Sequence, residues 1–225
     1  MVDGVICLGM KSKVLAYQSI SSQVSWSTIS VKRVFDVLFS LGVLVVFAPI
    51  FLAIVLVIGK KAFYVQRRLG RGGTFFKCYK FRTMHSDADE LLPQLLQHNP
   101  DLRHEWEIHQ KLHDDPRVFP MGRWLRKTSL DELPQFWNVI KGDLSVVGPR
   151  PYMAEQKPQM GPLAHTILSV RPGITGLWQT SGRSRTSFAE RIALDAEYIN
   201  KRTFWFDLWL ILKTIPQVFF PTDAC

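Results

Sequence analysis

An α+β fold carried on a membrane-associated N-terminal helix is what this sequence predicts, from three observations. An uncharged apolar run extends from Val37 to Ile58, a short aromatic hairpin pattern follows it, and amphipathic helical patterns fill the C-terminal part. The 225 residues make room for one domain with a modest core. Residues 1–30 read as a flexible N-terminal segment, Ser-rich from Gln18 to Ser30 and without apolar period. The domain itself takes residues 31–225, with its membrane helix at about 34–58.

At about 1.5 Å per residue the Val37–Ile58 run is long enough for a bilayer core, but Pro49 sits in its middle and demands a kink. Lys32 and Arg33 precede the run while Lys60, Lys61, Arg67 and Arg68 follow it, so the positive-inside tendency draws both ends to the cytoplasmic side. The residues alone leave two readings open, a re-entrant hairpin and one bent span. Asp36 suits a helix N-terminus or a pairing with Arg33.

Behind the run, Phe63–Val65 and Thr74–Phe81 are short, aromatic and β-branched, and Gly70, Gly72 and Gly73 between them signal a hairpin. Helices are expected over Asp87–Gln97 and His104–Leu112, the latter broken by Asp114, Asp115 and Pro116. Another, over Ser187–Tyr198, places Phe188, Ile192, Ala196 and Ile199 on one side. The stretch Phe204–Phe220 is rich in Trp, Leu, Ile and Phe but holds Asp207, Lys213 and Pro216, which fits an interfacial amphipathic helix.

A net charge of +9 calls for an anionic partner. No nucleic-acid-binding module accompanies it, so nucleic acid is not expected, and phosphorylated substrates and anionic lipid are. Cys7, Cys78 and Cys225 are too far apart for a zinc or redox motif and read as inert thiols. His104, His109 and His113 lack a metal-binding pattern.

The chemistry concentrates in Lys127–Ile140, where Asp131 and Glu132 are adjacent acids. Ser129 followed by Glu132 has capping-box spacing, which would explain the acids without any reaction. Against that stand Arg123, Arg126 and Lys127 just before them and Lys141 and Arg150 after. Among cations and helix-terminal amides a carboxylate keeps a low pKa, available as a metal ligand or as a nucleophile toward phosphorus. The prolines at 149 and 151 restrain Arg150 for bidentate phosphate binding, and Arg171–Gly176 and Gly182–Arg183 form further glycine-punctuated cationic turns.

From Lys32 to Ile215 these motifs occur in an order that closely resembles the monotopic polyprenyl-phosphate phosphoglycosyl transferases, the bacterial sugar transferase family. The resemblance is carried by KRVFDVLFS at Lys32, RRLGRGGTFFKCYKFRTM (Arg67–Met84), LRKTSLDELPQFWNVIKGDLSVVGPRP (Leu125–Pro151), RPGITGLWQTSGR (Arg171–Arg183) and DLWLILKTI ending at Ile215. It is greatest to exopolysaccharide-initiating undecaprenyl-phosphate galactose phosphotransferases. It implies a monotopic domain with a re-entrant membrane helix, broken here at Ala48-Pro49 where the family has Ser-Pro, and a catalytic part, 59–225, on the cytoplasmic face of the bacterial inner membrane. The implied reaction moves a sugar 1-phosphate, galactose 1-phosphate foremost, from a UDP-sugar to undecaprenyl phosphate and releases UMP, as the first membrane step of exopolysaccharide synthesis.

By the same resemblance Asp131 is the nucleophile that forms a phospho-sugar intermediate, and Glu132 is its partner acid, with Mg²⁺ held between the two. Arg126 and Arg150 fall on phosphate contacts, and Lys80, Arg82, Gln179 and Arg183 on other substrate-binding motifs. Partners expected with this reading are membrane lipid, downstream glycosyltransferases and, as an option, a second copy in a homodimer. A membrane-bound phosphohydrolase and a non-catalytic lipid-binding adaptor are the competing readings.

Overall fold

The computed structural model describes residues 26–110, 112–181 and 186–219. Residues 1–25, most of the expected flexible segment, lie outside the described residues, as do Cys7 and Cys225. Helix α1 (Trp26–Val46) begins before the expected boundary, so positions 26–30 are helical. Helix α2 (Ala48–Ile58) carries Pro49 in its first turn, where the missing N–H costs least. The two helices meet at 61°. No single helix among the described residues is long and apolar enough to cross a membrane, whereas the bent pair passes on length and composition together.

Strands β1 (Phe63–Leu69) and β2 (Phe75–Phe81) form the expected antiparallel hairpin, in register Phe63↔Phe81 and Gln66↔Cys78. Its turn uses Gly72 and Gly73 at positive φ. β1 runs past Val65 to Leu69, because its pairing with β2 continues to Leu69↔Phe75, and Arg68 near that end donates to Gln66 Oε1 and the Pro151 carbonyl. Helix α3 (Ala88–His98) lies where it was expected, while α4 (Pro100–His109) starts earlier and ends at Gln110, whose φ of 52° closes the helix before the Asp-Asp-Pro sequence.

Helix α5 (Pro120–Lys127) packs against the end of β2 at Gly122, where any Cβ would stand 2.1 Å from the Thr83 carbonyl oxygen. Helix α6 (Gln135–Lys141) is joined to the hairpin by Asn138, fully buried, which accepts from Tyr79 N–H at 3.0 Å and donates to the Lys77 carbonyl at 2.7 Å. Strands β3 (Ser145–Val147) and β4 (Gly173–Thr175) pair in parallel, with the short α7 (Ala164–Leu168) in the connection. Helices α8 (Leu177–Ser181), α9 (Phe188–Lys201) and α10 (Phe204–Phe219) complete the fold. Phe188, Ile192, Ala196 and Ile199 are buried on one face of α9, as its periodicity demanded.

Two apolar clusters result. One gathers Val146, Val147, Tyr152, Ile192 and Leu210 around β3, and the other joins Ile54 of α2 to Phe81, Leu125 and Leu133. Helix α1 is tied to the first by charge. Lys32 pairs with Asp207 and donates to the Val147 carbonyl, and Arg33 donates to the Ile140 carbonyl at 3.0 Å. Asp36 lies inside α1 and neither caps it nor pairs with Arg33. It accepts instead from Ser145 Oγ at 2.7 Å and Val146 N–H at 3.2 Å, satisfying a buried edge of the three-residue strand β3.

Candidate active site

Asp131 and Glu132 occupy a single 3₁₀ turn, Leu130–Glu132, between α5 and α6. Ser129 before it adopts φ 57° and makes no side-chain cap, so the capping-box reading of these acids fails. The chain builds that motif at Ser187 and Glu190 instead, where Ser187 N–H donates to Glu190 Oε2 at 2.8 Å and Glu190 N–H donates to Ser187 Oγ at 3.3 Å. Glu132 is thereby free to reach across to the hairpin, and Lys80 Nζ donates to its Oε1 at 2.6 Å.

The same Lys80 Nζ stands 3.9 Å from Asp131 Oδ2, and Asp131 is only 8% exposed. Sequence reasoning expected both acids to stay low in pKa, and the structure separates them. Burial, with the Glu132 charge beside it, pushes Asp131 up to about 6 despite Lys80 and Arg126. Burial acts on Glu132 as well, but Lys80, Arg150 and a hydrogen bond from Gln135 outweigh it and hold that carboxyl below the usual range. The pair therefore combines a firmly ionised acid with one whose charge is poorly compensated.

The hairpin supplies the cations of the opposite wall. Alternation along β1 and β2 places Arg68, Cys78 and Lys80 on one face, and they line a cleft with Glu132, Arg150 and Gln179. Burial lowers the Arg68 guanidinium to about 10, with Arg150 adding repulsion. An incoming anion relieves both costs. Arg150 projects from the loop after β3, where Gly148 and Gly173 approach so closely that a Cβ on Gly173 would lie 2.1 Å from Gly148 N. Its guanidinium lies 4.9 Å from the Trp178 ring centroid, against which Arg191 also packs at 4.4 Å.

The other expected residues divide. Arg126, half-buried with its Nε donating to Thr83 Oγ1 at 2.9 Å, lies close enough to Asp131 to stabilise its charge. Gln179 lines the cleft, with Nε2 donating to the Ile174 carbonyl at 3.2 Å and the buried Oε1 left without a hydrogen-bond partner. Arg82 does not line it. Its Nε donates to the Lys61 carbonyl at 3.0 Å and its guanidinium packs on Tyr64, so it braces the base of the hairpin. Arg183 lies outside the described residues.

Sequence reasoning missed Arg68, Gln135, Trp178 and Asp195. The period-2 alternation of β1 was a usable signal for Arg68, which shares a face with Tyr64 and Gln66. Asp195 had no local signal, because its partners come from the loop after β3. As for a metal, no group of three or more His, Cys, Asp or Glu among the described residues could hold one alone. Mg²⁺ binds through one or two carboxylates and completes its shell with water and substrate phosphate, so Asp131 and Glu132, which both face Lys80 Nζ, are the residues that would hold it.

Residues 27–221 match the family described as bacterial sugar transferase. The exopolysaccharide production protein ExoY of Rhizobium meliloti (strain 1021) is 46% identical over 191 residues, which cover 83% of this chain and 84% of that protein. The undecaprenyl-phosphate galactose phosphotransferase of Salmonella typhimurium is 41% identical over 190 residues, 83% of this chain and 40% of that protein. The undecaprenyl-phosphate glucose phosphotransferase of Komagataeibacter xylinus is 34% identical over 209 residues, 86% of this chain and 36% of that protein. The chain thus spans less than half the length of the last two. Matched over most of its length, it belongs to the bacterial sugar transferase family and is an enzyme, a phosphoglycosyl transferase.

Proposed function

We propose that this enzyme transfers a sugar 1-phosphate, galactose 1-phosphate foremost, from a UDP-sugar to undecaprenyl phosphate and releases UMP, as the initiating step of exopolysaccharide synthesis. The observation that carries the proposal is Asp131, a buried carboxylate at 3.9 Å from Lys80, next to an ionised Glu132 that lines a cleft with Lys80, Arg68 and Arg150. In the first step an Asp131 oxygen attacks the phosphorus that bears the sugar. The bond from that phosphorus to the bridging oxygen breaks, UMP leaves with that oxygen, and a phospho-sugar aspartyl anhydride remains. A phosphate oxygen of the lipid then attacks the same phosphorus and returns the Asp131 carboxylate.

Desolvation makes Asp131 a stronger nucleophile than a solvated acid, while Lys80, Arg68 and Arg150 supply positive charge where the diphosphate spreads its own. Mg²⁺ held by Asp131 and Glu132 would neutralise phosphate oxygens and the departing nucleotide. Membrane seating is supported by the stripe Val31, Val34, Leu38, Leu41 and Val45, exposed at helical spacing along α1, and by Trp205, Trp209 and Leu212, exposed along α10. Bent at Pro49, α1 and α2 enter and leave one leaflet, with the catalytic part on the cytoplasmic face of the inner membrane.

Detergent-solubilised enzyme, a UDP-sugar, Mg²⁺ and undecaprenyl phosphate should together yield UMP and a lipid-linked sugar diphosphate, and Asp131→Ala should abolish both. Free sugar phosphate without lipid product would instead mark a hydrolase. Vesicle binding without turnover of any nucleotide-sugar would mark an adaptor.

A further inference from the structure

We infer that Asp195 is a positioning residue for Arg150, holding the loop after β3 against α9 so that the Arg150 guanidinium stands over the cleft; this rests on the transfer reading above. Asp195 is fully buried in α9, and a single oxygen, Oδ2, accepts twice: from the Arg150 backbone N–H at 3.1 Å and from Tyr152 Oη at 2.6 Å. The two bonds bracket Pro151, so one carboxylate fixes both ends of a three-residue segment. The other oxygen, Oδ1, has no hydrogen-bond partner.

A carboxylate buried in this way costs free energy unless nearby charge repays it. Arg150 and Arg191 are the cations that face it, and Tyr152 is the other titratable group beside it. Burial raises Asp195 to about 6 and pushes the Tyr152 phenol well above its ordinary value. Both arginines pack on Trp178, and the Arg191 Nε also lacks a hydrogen-bond partner. The arrangement is thus a charged network in which Asp195 restrains the backbone of Arg150, Trp178 restrains its side chain, and the guanidinium makes no ion pair with a carboxylate among the described residues that would compete with phosphate.

The test is a set of variants read by UMP release and, independently of turnover, by calorimetric titration with UDP. Asp195→Ala should lower kcat by up to about a hundredfold, the loss that misplacing a catalytic group by about 1 Å can cause. Asp195→Asn retains an oxygen for both donors and should stay within about threefold of wild type by the same positioning argument. In an Arg150→Ala background, Asp195→Ala should cost little more, because the group it positions is already gone. Tyr152→Phe, which keeps the ring packed on Phe188, gives a milder loss with the same dependence on Arg150 and covers the case where Asp195→Ala does not fold.

Losses that multiply across the two sites, or an Asp195→Asn variant as impaired as Asp195→Ala, would overturn the inference. Wild-type enzyme that binds UDP but releases no UMP from any UDP-sugar would overturn the transfer reading instead, and the same couplings in UDP affinity would still decide the role of Asp195.

Discussion

Asp131 and Glu132 are adjacent in sequence, yet their surroundings set them apart. Glu132 carries the direct ion pair with Lys80, and Asp131 takes the desolvation. In the proposed mechanism Asp131 attacks as the carboxylate, so kcat/KM is expected to fall about tenfold per pH unit below about 6, the value to which burial raises Asp131. The stability effect has the opposite sense. A carboxyl raised from 3.8 to about 6 binds its proton more tightly when folded, so stability is lost as pH rises through that window. The loss is on the order of 3 kcal/mol at neutral pH. Asp131→Asn should therefore melt several degrees above wild type at pH 8, with the gap closing near pH 4, and a gap independent of pH would contradict the burial argument. Gln179 bears a separate expectation. With Nε2 committed to the Ile174 carbonyl, it offers an acceptor, which repels phosphate oxygens and suits a substrate hydroxyl or N–H. Gln179→Leu should raise KM for the nucleotide-sugar about tenfold and alter kcat less, the worth of one hydrogen bond.

Local rules carried most elements. Glycine turns, aromatic strands and the α9 stripe appear where periodicity put them, because each is decided by residues close in sequence. The discrepancies come from long-range partners. Arg68 at the end of β1 bonds to Pro151, Asp36 serves β3 across more than a hundred residues, and the acids abandon the capping box for Lys80 on the hairpin. At the bend, Pro49 carries the conformational weight without a serine before it. Pro49→Leu should permit a straighter, longer helix. Cysteines placed before residue 32 and after residue 61 should react with an impermeant reagent from the same side in the parent protein, and partly from opposite sides in the proline variant. Opposite-side labelling of the parent would restore a single span.

At the scale of the whole molecule, the bent pair α1–α2, the hairpin and the Asp131 turn share one apolar cluster. Phe51 of α2 packs on Phe81 at 4.8 Å, next in sequence to the Lys80 that binds Glu132, so the apolar anchor and the charged cleft are one side chain apart. The acid pair and its surrounding cations could be read from the sequence. Which acid's burial is left uncompensated, and what holds Arg150 in place, could not, since both depend on side chains brought in from distant segments. The most direct test of the central claim omits the lipid. Enzyme incubated with a UDP-sugar and Mg²⁺ alone should release UMP in a burst no larger than the enzyme present. The peptide containing Asp131 should then gain the mass of one sugar phosphate, which added undecaprenyl phosphate removes. UMP release that requires the lipid from the outset, with no adduct on that peptide, would contradict it.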